Sequence, residues 1–177
     1  AEAVERSVAV VGSRACTAYG QSVTTDLAAG LGAHGVTVVS GGAYGIDAAA
    51  HAGALAAEAV TVAVMAGGLD QPYPSGNSGL LQRVAAAGVL ASELPPFEKP
   101  TRVRFLGRNR LIAALTPATV LVEAALRSGA RNTVSWATSC NRVVLAVPGP
   151  VHSATSATPH RLIREAEAVL CSGVDDV

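Results

Sequence analysis

Aromatic side chains are scarce in this chain, with one Trp, three Tyr and two Phe among 177 residues. Any ligand held by stacking must therefore use very few rings. Lysine is nearly missing, since Lys99 is the one exception among 13 basic residues. The remaining cations are arginines, the side chain suited to forked phosphate contacts and to stacking. Nothing approaches the ~18 uninterrupted apolar residues of a membrane-crossing helix, which argues against a membrane span. The opening AEAVERSVAVVG has acids and no basic leader, which argues against a secretory signal. Three scattered cysteines, Cys16, Cys140 and Cys171, make neither a disulfide framework nor a zinc site and fit reduced, cytoplasmic thiols. His152, His160 and Cys171 lack the spacing of metal ligands, so no metal is expected.

Half the residues are hydrophobic, mainly Ala, Val and Leu, and 18 are Gly. Small and β-branched side chains of this kind suit helices packed closely on a buried parallel sheet. Short apolar runs alternate with helical patterns six times. Strands are expected at 7–12, 36–40, 61–65, 89–92, 119–124 and 142–149. Helices are expected at 19–33, 46–59, 78–87, 131–140 and 160–168, with a further helix opening in 107–115. The proline-rich stretch ELPPFEKPTRVRF, 93–105, reads as a loop with room for a peripheral strand pair or an extra helix. The pattern predicts βαβ units with right-handed crossovers. The expected fold is α/β, a Rossmann-like three-layer arrangement with a mostly parallel sheet of about six strands and helices on both faces. One domain is expected over 1–177, with its ligand beyond the carboxyl ends of the strands.

Formal charge sums to zero, but its distribution is uneven. Residues 1–98 hold 3 basic and 8 acidic groups, a net of −5; residues 99–164 hold 10 basic groups and one acid, Glu123, a net of +9; residues 165–177 hold four acids. Such a basic middle block makes a positive region if its loops converge. Its centre is RFLGRNR, 104–110. If extended, Arg102 and Arg104 share a face. Phe105 is either a loop anchor or a platform for a base. Arg108, Asn109 and Arg110 read as a helix start with Asn109 as its cap. Cations there are unfavourable unless an anion is near. Arg110 is assigned to an ion pair with Glu93 or Glu123, and Arg108 to the ligand.

Three glycine loops follow strands. In the first, Gly12, Ser13 and Arg14 read as a phosphate contact at a helix start, against the plainer reading of a cap and a surface arginine. That turn has no G-x-G-x-x-G and no G-x-x-x-x-G-K-[ST], so no cofactor is expected. In the second, Gly41, Gly42 and Gly45 allow close backbone approach. Asp47 caps the next helix and steadies His51 four residues on, with a catalytic Asp–His pair as the lesser reading. In the third, Gly67 and Gly68 precede Tyr73, which either stacks on a ligand or packs the loop. The turn holding Ser128, Gly129, Arg131, Asn132 and Thr133 leads into a helix and is a further anion seat. So few rings and so many arginines predict phosphate-dominated, weakly sequence-specific, salt-sensitive binding to a polyanion.

Several pieces, in order, resemble the Rossmann-like core of the DNA-processing protein A family, also called DprA or Smf. They are GSR at 12–14 with YG at 19–20, SGGAYGIDAAAH at 40–51, AGGLDQPYP at 66–74, SE at 92–93, FLGRNR at 105–110, VEA at 122–124 with SG at 128–129, and VPG at 147–149. Each is weak alone; their order and spacing across the chain carry the match. The resemblance implies a non-enzymatic, cytoplasmic, dimeric protein of natural transformation and recombination. Such a protein would protect single-stranded DNA and assist loading of the RecA recombinase. It implies that Ser13 and Arg14 line a phosphate site shaped by Gly41 and Gly42. Phe105 and Arg108 would border the DNA path, and Gly12, Gly67 and Gly68 would support it. Tyr44, Leu106, Thr158 and His160 depart from the family's usual residues. Family members often add a helical domain before this core and a winged-helix-like domain after it; the chain reads as the core alone. The alternative is a nucleotide-processing enzyme such as a nucleoside monophosphate phosphoribohydrolase, with Asp47 or Glu123 as acid. It lacks the PGGxGTxxE loop of that group.

Overall fold

The computed structural model describes residues 2–177. In chain order these form α1 (Glu2–Glu5), β1 (Ser7–Val11), α2 (Ala18–Ala33), β2 (Thr37–Ser40), α3 (Ile46–Ala56), β3 (Thr61–Val64), α4 (Ser78–Ala87), β4 (Val89–Ala91), α5 (Arg102–Leu115), β5 (Ala118–Leu121), α6 (Ala130–Ser139), β6 (Val143–Ala146), α7 (Ala157–Arg164) and β7 (Val169–Leu170). The strands make one parallel sheet in the order β4-β3-β2-β1-β5-β6-β7. It is the expected Rossmann-like α/β fold, with seven strands where about six were expected. None of the described helices is long and apolar enough to cross a membrane.

Side-chain alternation along each strand feeds both layers. Val8 and Val10 pack with Leu27 and Leu31 of α2 and with Ile46, Ala50 and Ala54 of α3. Ala9 and Val11 turn the other way, onto Ile112 of α5, Val134 of α6 and Leu162 of α7. Coverage on both sides explains why β1 to β3 are buried at every position and read as runs of Val, Ala, Thr and Ser with no charged residue. The strand order sets the position of the ligand crevice. After β1 the chain builds outward through β2, β3 and β4, then crosses back to place β5 on the other side of β1. Loops leaving β1 and β5 therefore part, and the sheet opens between them.

The segment 93–105 departs most from expectation. Helix α5 begins at Arg102, and residues 93–101 form neither a strand pair nor a helix. Its cap is Thr101, whose Oγ1 accepts from the Arg104 N–H at 3.3 Å, so Asn109 caps nothing and stands in mid-helix. Arg102 and Arg104 do not share a face, because two residues of helix turn about 200°. Helix α7 starts at Ala157 and ends at Arg164, earlier at both ends than expected. The seventh strand, β7, was missed because its two residues, both exposed, are too short to show a pattern.

Helices α2 and α3 approach closely because their contact is lined by small residues. A Cβ added at Gly53 would overlap the Thr25 carbonyl oxygen and press on Ala28 at 3.0 Å. Alanine is the better helix former by about 1 kcal/mol, and at an exposed site that preference would decide. Here the clash is with backbone, and overpacking costs roughly 1–3 kcal/mol. Gly53→Ala is therefore expected to lower the urea midpoint. An unchanged or raised midpoint would show that the two helices can move apart freely.

Candidate nucleic-acid interface

A cleft of about 990 Å³ opens at the carboxyl ends of β1 and β5, where the strand order reverses. Gly12, Ser13, Arg14 and Ala15 form one wall, and Arg127, Ser128 and Gly129 with the start of α6 form another. Helix α5 supplies Arg102, Phe105, Asn109 and Ile112, a spacing that puts them on one helical face. The Arg14 guanidinium lies over the Phe105 ring, 4.7 Å from its centroid. Tyr73 meets the same ring at 5.9 Å, tilted by 57°. Arginines 14, 102 and 127 thus converge with two aromatic rings from four separate segments of chain. Such a site can hold phosphates by charge and a base or sugar by stacking.

The arginine cluster is not a continuous positive stripe. Arg104 pairs with Glu98 at 2.6 Å and donates to the Lys99 carbonyl at 2.6 Å. Arg110 pairs with Glu93, one of the two partners named for it, at the surface. Among the described residues, Lys99 and Arg102 are the members of 99–110 that are exposed and without a carboxylate partner. Arg108, expected to touch ligand, is only 6% exposed. Its Nη1 donates to the Val64 carbonyl at 2.6 Å, and its guanidinium fills the space where a Gly41 side chain would stand. Burial pulls the Arg108 pKa down and the nearby Asp47 charge opposes this. Arg108 is therefore the cleft's floor and a framework residue. Gly41 is glycine to admit it, while Gly42, at φ +68°, turns the chain against Leu81.

Glu123 overturns the expectation of a helix start free to take phosphate after β1. Its carboxylate is buried and accepts from the Thr17 N–H at 2.9 Å, the Thr17 hydroxyl at 2.6 Å and the Thr155 hydroxyl at 3.0 Å. It pairs with no arginine among the described residues. The positive end of α2 is thus already filled by this chain's own anion. Gly20 leaves the space this carboxylate takes, and Gly12 has no room for a side chain beside Ile46 and the Glu123 carbonyl. Ser13 lies on the cleft wall, its N–H held by that carbonyl at 2.7 Å. The helix start that does reach the cleft is α6, where Gly129 makes no side-chain cap. Gly67 and Gly68 sit outside the cleft, pressed against 95–100. Arg127 was not singled out from sequence; its place just before the Ser128–Gly129 turn, after the strand beside β1, was the available signal. Asn132, noted in that turn, accepts from Asn109 at 3.3 Å across the cleft floor.

Asp47 and His51 do not act as a pair. The Asp47 carboxylate accepts from the Ala43 N–H at 3.3 Å, the cap position is Gly45, and burial raises its pKa against the pull of Arg108. His51 is wholly buried, with Nδ1 2.8 Å from the Thr61 hydroxyl. Burial, then the Arg108 charge, lowers its pKa from 6.5 to about 4. Between those values the unfolded chain binds the His51 proton and the folded chain does not, so stability falls as pH drops through the window. The size is on the order of 3 kcal/mol. Asp47, whose raised pKa favours proton uptake by the folded state, works in the opposite sense. Urea unfolding across pH 6.5 to 4 is expected to show the loss in the parent chain and a smaller slope in His51→Gln. Equal slopes would remove His51 as its source.

The whole chain, residues 1–177, matches the family described as DNA recombination-mediator protein A. A Mycobacterium tuberculosis protein named for DNA processing (DprA) is 58% identical over 176 residues, 99% of this chain and 45% of that protein. The chain thus spans about half the length of this relative. The solved DNA processing protein A of Streptococcus pneumoniae superposes with a TM-score of 0.90 at 37% identity, covering 99% of this chain and 62% of that one. The Helicobacter pylori protein, whose structure is described for its single-stranded DNA binding mode, gives 0.90 at 28% identity, covering 99% and 80%. This chain belongs to the DNA recombination-mediator protein A family, known also as DprA or Smf.

Proposed function

We propose that this domain binds single-stranded DNA in the cleft between β1 and β5, as part of a protein of natural transformation and homologous recombination. The observation that carries this is the convergence of Arg14, Arg102 and Arg127 with Phe105 and Tyr73. Charge would track the backbone, and the rings would take one or two bases whatever their identity. Ser13 and Arg14 contact phosphate in this reading, and Phe105 is the central platform. Arg108, Gly41 and Gly42 hold that platform from beneath, and Gly12, Gly67 and Gly68 support the loops. The family and the Helicobacter relative support the choice of single-stranded DNA. The rest of the role is proposed from family membership: shielding of incoming strands, assistance in loading the RecA recombinase, action as a homodimer, and residence in the cytoplasm.

Phosphoribohydrolase chemistry is the weaker reading. The Glu123 carboxylate is engaged by Thr17 and Thr155, and Asp47 is 7% exposed beside Arg108. Neither stands free at the cleft wall as a general acid. Incubation with a panel of nucleoside monophosphates is expected to release no free base.

Binding to fluorescent oligo-dT across a salt series tests the main proposal. Arg14→Ala and Arg102→Ala should each weaken binding and flatten the dependence of log affinity on log salt by about 0.7, the value for one phosphate contact to a single strand. Unchanged affinity and slope in both variants, with the fold intact, would place the DNA elsewhere.

A further inference from the structure

Phe97 is the most exposed large apolar side chain described, at 83%. Its backbone has φ +70°, a left-handed conformation that bulky residues rarely adopt. The loop imposes this conformation. The Phe97 N–H donates to Asp70 Oδ1 at 2.7 Å, and Gly68 lies beneath, with no room for a side chain between Asp70, Pro95 and Phe97. Just beyond, the Arg104–Glu98 pair and the Arg104 bond to the Lys99 carbonyl tie the loop to α5. A ring that finds no cover inside the fold is thus held outward on a stiffened loop.

The same segment leads straight into the cleft. Pro100, Thr101 and Arg102 line it, and three residues of chain span at most ~11 Å, so Phe97 stands at the cleft's edge. Lys99 lies between the two along the chain and Arg102 at the cleft wall; they are the exposed cations of the cluster without a carboxylate partner among the described residues. We propose that Phe97 is a second stacking platform, which takes a base of the strand where it leaves the cleft while Lys99 and Arg102 hold the intervening phosphates. The observation is a solvent-held ring beside unpaired cations, the combination that binds single strands without regard to sequence. Rigid presentation lowers the ordering cost of that contact.

This inference rests on the proposed function, and oligonucleotide length separates the two. Phe97→Gly is the variant of choice, because glycine suits the positive φ and should leave thermal stability unchanged or raised. Affinity is measured for oligo-dT of about 4 and about 20 nucleotides. Loss of one stacked base predicts roughly tenfold weaker binding of the long oligomer by Phe97→Gly, little change for the short one, and recovery in Phe97→Trp. Phe97→Leu should not recover it, which distinguishes stacking from plain apolar contact. Equal affinity of the parent and Phe97→Gly for the long oligomer overturns the platform and leaves the cleft reading intact. Failure of the parent chain to bind either length would reject the cleft reading itself.

Discussion

A buried guanidinium organises this site. Arg108 projects from α5 beneath the sheet's carboxyl edge, where a lone charge would be costly, and it is retained because its surroundings are fitted to it. The Val64 carbonyl takes one of its N–H groups, Gly41 vacates the space, and Asp47 supplies a compensating charge. Each of these lies on a different element: β3, the β2–α3 turn and α3. One side chain thereby fixes α5 against three parts of the fold. Phe105, three residues earlier on that helix, inherits its position, with its ring 5.9 Å from the Arg108 guanidinium carbon. Arg14 lies over the same ring, 4.7 Å from its centroid. The exposed cation in the cleft is placed by the buried one.

Two glycine-rich turns that look alike in sequence follow different physics. GSR after β1 precedes a helix, the arrangement that commonly seats phosphate, yet the helix end is filled by Glu123 from the loop that leaves β5. The glycines after β2 look equally suited to a ligand, yet the first of them, Gly41, makes room for Arg108. In both places the small residue accommodates a partner more than a hundred or some sixty residues away in sequence. Spacing can show that a turn needs glycine; it cannot show whose atoms take the space.

That limit describes how far the sequence could be read. The parallel sheet was legible because Val8 to Val11 and Val62 to Val64 are buried on both faces and leave unbroken apolar runs. Helix α4 was legible to the residue because its flanking turn residues and glycine bound it. Helix α5 was not, because four arginines among its first nine residues hide any apolar stripe, and its cap, Thr101, lies behind prolines. The convergence of Arg14 with Phe105 depended only on both following the correct strands, and the family motifs already held both. Arg102 depended on which turn of helix faces inward, which no spacing rule supplied while 102–105 was read as extended, and Arg127 on which side of the turn before α6 lines the cleft.

Charge pairing bears on what kind of polyanion the proposed cleft would suit. Were all the cations of 99–110 free, the rim would be a broad positive field fit for the closely spaced charges of a duplex. Instead Glu98 and Glu93 neutralise Arg104 and Arg110, and Arg108 is withdrawn from solvent. What remains are a few separated cations, each beside a ring or a turn. A duplex keeps its bases stacked inside and offers a stacking ring nothing but its ends, whereas an unpaired strand exposes every base to one. The removal of charge from the rim and the exposure of rings within it therefore favour the same ligand, by independent physical routes.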